Sequence, residues 1–472
     1  MNNETLDPDD WGQMKRLAKK MAEDMISYQQ NIREKPVVKK IPQHVLDLFN
    51  EPVPRKPQGP EKTYQEFQEK IASNITAFNT HPRFWATVIG TGTPFGALAD
   101  MWASGLNHPV IWPPDLPHTI ELQVINWIKQ MLGYPEDASG VLVSGGSIAN
   151  LIGLTVARNV KAGYNVKKMG ITKKLTFYGS TEAHSCIQRN LELLGVGEEN
   201  LRKIPVDEDY KIPICALNKQ VQIDKEKGFT PICVIGNAGS TNTGSIDDLA
   251  ALADYCEAQG LWFHVDGALG SFAALSSKYR HLVDGMKRAD SLAVDLHKWM
   301  YMPYGVGCTL IRHPKEHHEA FSIHAPYIEH EDVWLSDLGV EQSRPNRALK
   351  VWMSLKEHGV DKYGSVIEQD IEYAKYFAGL VAKSSELELL APVPLNVVCF
   401  RYVRDDLSES ELDVLNAALF EKIIWDGKFG PFNTTVDGKF AFRICTVNHR
   451  TTKEDLRLFY EEILENGKNI NP

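Results

Sequence analysis

Two short runs in the middle of the chain carry residue types that could perform chemistry together. Lys298 lies in the run 295–299 (DLHKW), and Asp266 lies upstream of it, directly after His264 and Val265. A lysine amine can form an imine with a carbonyl group, and a carboxylate can keep a pyridine nitrogen protonated. An enzyme that uses pyridoxal phosphate (PLP) as an electron sink needs both groups, so the pair favours PLP chemistry.

The surroundings of these two residues support the same hypothesis. Asp266 ends an apolar run and is followed by small residues, so we expect its carboxylate at the carboxyl edge of a sheet. A buried aspartate is costly unless it is paired, which leaves a capping role or an ion pair with a protonated ring nitrogen. Lys298 has apolar neighbours, namely Trp299, Met300 and Met302. An amine in such company is expected to be more than a solvated charge.

A third run, 144–147 (SGGS), follows a predicted strand and leads into an apolar helical run at 148–158. Free N–H groups at a helix start, glycines that let an anion approach and a serine hydroxyl together form a phosphate site, with Gly146 and Ser147 as candidates. The alternative is a tight strand-to-helix turn with Ser147 as N-cap. The spacing matches neither a Walker loop nor a GxGxxG fingerprint.

Three more polar residues lie at or after the ends of predicted strands, where ligands gather in an open α/β sheet. They are His184, Thr241 and His264. For each of them a structural role is the alternative, so none identifies a site alone.

The pattern of elements from about residue 91 predicts an α/β core. Short apolar runs alternate with helical patterns, which is typical of parallel strands joined by crossover helices. The predicted strands are 141–143, 175–178, 232–235, 261–265, 292–294 and 308–311. Between two of them, Asp247 and Asp248 favour a helix start and Gly260 favours the end of that helix.

After about residue 370, the order strand, helix, strand, helix predicts a small C-terminal α+β domain. Its elements are expected at 395–400, 411–424, 440–447 and from Thr452 onwards. Thr451 and Glu454 are expected to form a capping box for the last helix.

The N-terminal segment predicts a helical arm. An apolar stripe on its first, charged helix needs a partner surface, and comprises Met14, Leu17, Met21, Met25 and Tyr28. After a proline-rich break, Thr63 is expected to cap a second helix that buries Phe67, Ile71, Ile75 and Phe78. The predicted units are therefore an arm (1–90), a large α/β domain (91–370) and a C-terminal domain (371–472).

Composition indicates a globular protein without a nucleic-acid partner. The chain has 472 residues, of which 43% are hydrophobic, and a net charge of −10 from 51 basic and 61 acidic residues. Nucleic-acid binding needs clustered Lys and Arg. The seven cysteines are odd in number and widely spaced, so we expect neither a disulfide framework nor a metal site. We recognise no signal peptide or membrane span and expect a cytoplasmic location.

Seven ordered motifs make the chain similar to the group II PLP-dependent amino-acid decarboxylases, which include the aromatic amino-acid, glutamate and cysteine-sulfinate decarboxylases. The motifs are HPRFW (81–85), SGGSIAN (144–150), EAH (182–184), GST (239–241), HVDGA (264–268), DLHKW (295–299) and FRI (442–444). The resemblance spans about residues 70–450 and implies fold-type I architecture, with a mostly parallel central sheet and flanking helices. It also implies a homodimer with interfacial active sites, which would give the apolar stripe its partner.

The resemblance implies a role for each matched residue. Lys298 would hold PLP as an internal aldimine, Asp266 would pair with the ring nitrogen, and His184 would stack on the ring. The residues holding the phosphate would be Gly146, Ser147 and His297. Thr241 would lie close to the ring, and Arg443 would face the substrate carboxylate. The implied reaction converts an L-amino acid into its amine and CO2 through an external aldimine and a quinonoid.

The chain departs from the family pattern in two places. Residues 86–89 (ATVI) match neither the aromatic residues of aromatic amino-acid decarboxylases nor the Asn–Gln pair of the glutamate enzymes. Segment 329–342, where relatives carry a tyrosine linked to protonating Cα, has Trp334 and Leu335 instead, so His184 is the first candidate for the proton donor. Asp295 is not expected to be a ligand.

These departures leave alternatives open on the same fold. They are transamination, decarboxylation-linked aldehyde formation and carbon–carbon cleavage. A non-catalytic PLP-binding protein is the remaining alternative.

Overall fold

The computed structural model describes residues 4–110, 113, 115–323 and 333–470. Residues 329–332, the first part of the segment 329–342 that has no tyrosine, lie outside the described residues. None of the helices in the described ranges has the length and apolarity that crossing a membrane requires.

A seven-stranded sheet forms the centre of the molecule. In sequence order its strands are β1 (Ser139–Val143), β2 (Leu175–Ser180), β3 (Leu201–Ile204), β4 (Thr230–Asn237), β5 (Trp262–Asp266), β6 (Ser291–Asp295) and β7 (Gly307–Ile311). Their order across the sheet is β1-β7-β6-β5-β4-β2-β3. Strands β2 to β6 are parallel where they pair, whereas β7 runs antiparallel to both β1 and β6. The mostly parallel sheet predicted from the sequence is confirmed.

The N-terminal arm contains α1 (Trp11–Gln30), α2 (Gln43–Asp47) and α3 (Pro60–Glu66). The prediction for the second helix was wrong at its start. Gly59 is the N-cap of α3, and Thr63 lies inside the helix, where its hydroxyl donates to Gly59 O at 2.8 Å. The apolar side chains expected to be buried there are exposed, namely Phe67, Ile71, Ile75 and Phe78. Phe67 stacks on Tyr64 and Phe78 packs edge-on against Phe84, but these contacts leave a large part of each side chain exposed.

Between the arm and residue 383 the helices are α4 (Pro94–Leu106), α5 (Leu116–Leu132), α6 (Gly146–Lys161), α7 (Val166–Met169), α8 (Ser185–Leu193), α9 (Ile214–Glu226), α10 (Leu249–Gln259), α11 (Leu296–Trp299), α12 (Pro314–Phe321), α13 (Ala348–His358) and α14 (Val360–Lys383). The boundaries of α10 are as predicted, because the Asp248 side chain caps it and Gly260 ends it in the left-handed region. Gly145, and not Ser147, is the N-cap of α6.

The C-terminal part contains β8 (Leu387–Leu389), β9 (Val397–Tyr402), α15 (Glu409–Trp425), β10 (Phe432–Val436), β11 (Lys439–Cys445) and α16 (Lys453–Asn469). Its four strands form an antiparallel sheet in the order β10-β11-β9-β8. The capping box of α16 is Thr452 with Asp455, one residue later than predicted. Thr451 is buried instead, and its hydroxyl donates to Pro82 O at 2.6 Å.

Candidate active site

The carboxyl ends of the central strands bring the predicted site residues to one edge of the sheet. Asp266 ends β5 and Asp295 ends β6, which is its parallel neighbour. Gly307, the first residue of β7, pairs with Asp295 on one side and with Val143 on the other. The turn that follows Val143 therefore lies beside the turn that carries Lys298.

Three glycines form a close-packed cradle at this edge. A Cβ atom on Gly145 would lie 2.9 Å from His297 Cε1, and one on Gly146 would lie 2.8 Å from Asp295 Oδ2. A Cβ atom on Gly307 would lie 2.7 Å from Asp295 Oδ1 and 2.8 Å from Gly145 Cα. The absence of side chains here allows the β1–α6 turn to approach the lysine turn closely.

The start of α6 suits an anion. No side chain caps this helix, so the N–H groups of its first turn are free of a side-chain partner, and Ser147 is exposed beside them. Uncapped N–H groups at the start of a 16-residue helix attract phosphate through hydrogen bonding and the helix dipole. Gly146 and Ser147 thus lie where a phosphate group would be held.

Lys298 has a carboxylate neighbour that the sequence analysis set aside. Its Nζ lies 3.4 Å from Asp295 Oδ2, and Asp295 is almost fully buried. Asp295 Oδ1 lies 3.6 Å from His297 Nδ1 and accepts no hydrogen bond from any described residue. The position of Asp295 at the end of a strand, just before His297 and Lys298, is the signal that could have identified it.

The imidazole of His297 is held by the backbone. Its Nδ1 donates to Val306 O at 3.0 Å, and its ring packs on Tyr304 with 4.5 Å between centroids. Because the carbonyl can only accept, the other ring nitrogen of neutral His297 is free to act as an acceptor. Burial lowers the pKa of His297.

Asp266 is nearly buried at the end of β5. Its Oδ1 accepts the N–H of Ala268 at 3.1 Å, which keeps the carboxylate at the sheet edge. His264, two residues earlier, points elsewhere. Its ring nitrogens lie 2.7 Å from Ser291 Oγ and 2.7 Å from Asn150 Oδ1, so it links β5 to β6 and α6 in a structural role.

His184 begins α8 and faces the same edge. Its Nδ1 accepts the N–H of Cys186 at 3.2 Å, so in the neutral ring the proton lies on Nε2. Crowding by protein atoms lowers the pKa of His184 even though the residue keeps an exposed surface. The charge of Asp266 opposes this lowering of the pKa and that of Lys298 adds to it.

Arg443 joins two segments that border the site. Its guanidinium donates to Thr241 O at 3.0 Å and to Ala86 O at 2.7 Å, and it lies 4.8 Å from the centre of the Phe432 ring. Its Nε is buried and finds no partner within the described ranges. Burial also lowers the pKa of Arg443. Arg443 therefore also has a structural role, because two of its N–H groups bond to the carbonyls of Thr241 and Ala86.

The segment that follows Ala86 leads directly to the lysine. Gly90 N–H donates to His297 O at 3.0 Å, and a Cβ atom on Gly90 would collide with Lys298 O. Residues 86–90 therefore run from Arg443 to the lysine turn. The side chains at 87–89 lie on that path, and only the family resemblance pointed to this segment from the sequence.

A family profile supplies the deciding comparison. The "Pyridoxal-dependent decarboxylase conserved domain" matches residues 42–403. The chain belongs to the pyridoxal-dependent decarboxylase family. It is therefore a PLP-dependent carboxy-lyase by family, and the predicted cofactor and fold type are confirmed.

Curated relatives of this decarboxylase match along nearly its whole length. An aromatic-L-amino-acid decarboxylase of Bacillus atrophaeus is 35% identical over 455 residues, which cover 94% of this chain and 93% of the relative. A phenylacetaldehyde synthase of Arabidopsis thaliana is 27% identical and covers 96% of this chain and 95% of its own length.

Solved structures share the fold of this decarboxylase. The Oryza sativa TDC crystallised with PLP and tryptamine superimposes with a TM-score of 0.92 at 24% identity, covering 99% of this chain and all of that one. Mouse CSAD gives a TM-score of 0.89 at 23% identity, with 98% of this chain covered. The uncapped start of α6, the glycine cradle, the lysine and the strand-end Asp266 fit a ligand with a phosphate, a carbonyl carbon and a ring nitrogen.

Proposed function

We propose that this enzyme removes the α-carboxyl group of an L-amino acid as CO2 and releases the corresponding primary amine. The observation that supports the proposal is that Lys298, Asp266 and His184 lie at or just after the carboxyl ends of parallel strands of one sheet, beside the start of α6, which no side chain caps. PLP supplies an electron-accepting pyridinium ring when it is bound. The remaining tasks fall to side chains of the protein.

Each side chain has a task that its surroundings support. The Lys298 amine binds the cofactor covalently, and the Asp266 carboxylate holds a proton on the ring nitrogen. Gly146 and Ser147 would bind the phosphate through N–H and hydroxyl donors, and His297 would join them once the nearby anion favours a proton on its Nε2. Thr241 would lie beside the ring. Preorganised charges of this kind stabilise the charge that develops as the bond to the carboxylate breaks.

The substrate side of the site is assigned to His184 and Arg443. Arg443 binds the substrate carboxylate with the guanidinium hydrogens that Thr241 O and Ala86 O leave unused. His184 stacks on the ring, and its Nε2 returns a proton to Cα. Because the lowered pKa of His184 leaves the ring neutral at pH 7, the exposed imidazole must take up a proton from solvent before it donates one to Cα.

The substitution Lys298→Ala tests the assignment of the lysine. We expect the wild-type protein to be yellow and borohydride to fix the cofactor on the peptide that contains Lys298. The variant should lose covalent cofactor because alanine offers no amine. Lys129→Ala is the matched control, since Lys129 is buried and donates only to Glu136 O and Ala138 O. Retention of the covalent cofactor in Lys298→Ala would refute the assignment.

Product analysis tests the reaction. We propose aromatic L-amino acids as the first substrates to offer, because the Bacillus atrophaeus relative is named for them. Incubation with a broad amino-acid panel should give CO2 and amine in equal amounts, identified by mass. Failure to turn over any amino acid despite bound PLP would favour a non-catalytic protein.

Aldehyde synthesis is the second candidate. Two observations favour it: the similarity to a phenylacetaldehyde synthase and the lack of a tyrosine in 329–342, where Leu335 is buried. That reaction consumes O2 and releases ammonia and peroxide together with CO2. Detection of aldehyde, ammonia and peroxide in place of amine would decide for it.

We also propose that two copies of the chain associate, and that the enzyme works in the cytoplasm. Exposed apolar side chains on the arm and on α4 support the first point, and they include Trp11, Met21, Phe67, Met101 and Trp102. The seven free cysteines suit a reducing compartment.

A further inference from the structure

A fully buried carboxyl group lies directly behind the lysine turn. Asp370, on α14, accepts a hydrogen bond from Trp299 Nε1 at 2.9 Å and one from the Tyr301 hydroxyl, both at Oδ2. Its Oδ1 finds no hydrogen-bond partner within the described ranges, and no lysine or arginine of those ranges forms an ion pair with it. Burial raises the pKa of Asp370 to about 7.

The two donors are the first and third residues after Lys298. Tyr301 has a positive φ of 51°, which costs free energy for a residue with a side chain. Its N–H lies 3.3 Å from Lys298 O, so its conformation and that of the lysine peptide are linked. Asp370 Oδ2 thus holds the side chains of both Trp299 and Tyr301, which follow Lys298 in the chain.

The backbone of the same residue holds the other side of the site. Asp370 O accepts the Thr446 hydroxyl at 2.8 Å. Thr446 directly follows β11, the strand that carries Arg443. Asp370 therefore contacts both the lysine turn and the end of the strand that bears the proposed carboxylate-binding arginine.

Stability alone gives little reason for a carboxyl group at this position. Burying one with an unpaired oxygen is costly, and replacing buried polar networks by apolar groups of similar volume is often neutral or stabilising. What an apolar group cannot do is hold the Trp299 and Tyr301 donors in one geometry.

We propose that Asp370 is a positioning residue that sets the place of the Lys298 amine relative to Arg443. The inference rests on the proposed function, because it takes Lys298 to be the cofactor lysine. The carboxyl group acts through Trp299 and Tyr301 and touches neither cofactor nor substrate. Loss of its acceptor oxygen lets the lysine turn relax and slows the attack of the amine on a carbonyl carbon.

The test compares Asp370→Leu with Asp370→Asn in the full-length chain. Leucine removes the acceptor, whereas asparagine keeps one oxygen for both donors and puts its amide nitrogen where the unpartnered oxygen lies. After PLP is resolved from the protein and added back, the rate of covalent capture is followed by absorbance, and the modified peptide is identified by mass. We expect capture about tenfold slower or more in Asp370→Leu and largely restored in Asp370→Asn.

Two further variants keep the result interpretable. Tyr301→Phe removes only one hydrogen bond, so it tests the proposal even if the leucine variant does not fold, and it should slow capture in the same direction. Asp224→Leu removes an equally buried carboxylate that bonds Tyr178 and Arg202 away from the lysine, and it should leave capture at the wild-type rate. Wild-type capture rates in both Asp370→Leu and Tyr301→Phe would overturn the proposal while leaving the proposed function intact. Capture at a lysine other than Lys298 in the wild type would instead overturn the proposed function.

Discussion

Two aspartates end neighbouring strands at the site, and their surroundings give them different tasks. Asp295 lies within 3.4 Å of the Lys298 amine and also close to His297, so it balances positive charge around the lysine. Asp266 is held at one oxygen by the Ala268 N–H and has no such ion pair among the described residues. Its carboxylate is therefore available to hold the proton on the ring nitrogen of the cofactor, which is the role proposed for it.

Replacing Asp266 by asparagine should lower kcat/KM for CO2 release on the order of 100-fold or more, because an amide cannot keep the ring nitrogen protonated. The urea midpoint should change little, since an amide oxygen can still accept the Ala268 N–H. Steady-state CO2 release measures the effect, and urea unfolding is its control. A rate close to that of the wild type would contradict the role given to Asp266.

The raised pKa of Asp370 makes a prediction about stability. The folded chain keeps this proton to about pH 7, whereas the ordinary value is 3.8, so the folded state loses stability as the pH rises between those values. An amide does not titrate. The free energy of unfolding of Asp370→Asn relative to the wild type should therefore rise on the order of 2 kcal/mol between about pH 5 and pH 8.

Urea titrations of both proteins at several pH values measure this difference. The titratable neighbours of Asp370 are Tyr301, Tyr373 and Cys445, and burial raises the pKa of each, so none of them titrates in this window. A difference that stays constant with pH would show that Asp370 does not carry the raised pKa.

At the scale of elements, the site depends on the contact between the start of β7 and the β1–α6 turn. Gly307→Ala should weaken PLP binding by at least about tenfold, because its Cβ would press on both Asp295 and the Gly145 backbone. Equilibrium titration of the resolved protein with PLP measures the loss. Gly379→Ala, in an open position of α14, is the matched control and should leave PLP binding at the wild-type level. Equal PLP affinity in the two variants would mean that the cradle does not require its glycines.

Sequence patterns predicted the elements whose physical signals are local and strong. Buried strands appear as apolar runs, and the Asp248 cap and Gly260 stop of α10 are short-range signals. Strand β3 was not predicted from the sequence. It lies at the sheet edge, where Arg202 and Lys203 interrupt its apolar pattern. The capping box of α16 was misplaced by one residue because Thr451 and Thr452 are adjacent, and only packing decides which of them is buried.

The site residues were predicted less evenly than the strands. Lys298, Asp266 and His184 follow predicted strands or resemble family motifs, so their convergence could be expected. Asp295 lies only two and three residues before the groups it contacts, whereas the task of Asp370 depends on Trp299 and Tyr301, which approach from a distant part of the chain. Sequence spacing carries no information on such contacts.

At the scale of the whole molecule, the arm is tied to the C-terminal part. Arg33 and Arg83 both contact Asp455, which lies in the first turn of α16, and Val37 N–H donates to Gly427 O at 2.9 Å. These contacts fix the arm while leaving apolar side chains of the arm and α4 exposed. In the proposed homodimer, the second chain would cover these exposed apolar side chains.

Light scattering should therefore give the mass of two chains. The double substitution Met101→Asp and Trp102→Asp should raise the dissociation constant of the dimer by about tenfold or more, because it places charge on exposed apolar positions of α4. Met169→Asp changes an exposed apolar residue of α7 and serves as the control. An unaltered dimer in the double variant would exclude this face of α4 from the interface.

The place of β7 in the central sheet also affects how the protein is made. Strand β1 is the sheet edge, and its partner β7 follows it in the chain only after the other five strands have been synthesised. Until β7 leaves the ribosome, the backbone N–H and C=O groups along one edge of β1 and one edge of β6 lack their partner strand. Pairing of such distant segments is slow and leaves an intermediate open to aggregation. The glycine contact beside Lys298 therefore forms only after β7, the last strand of the central sheet, has been inserted.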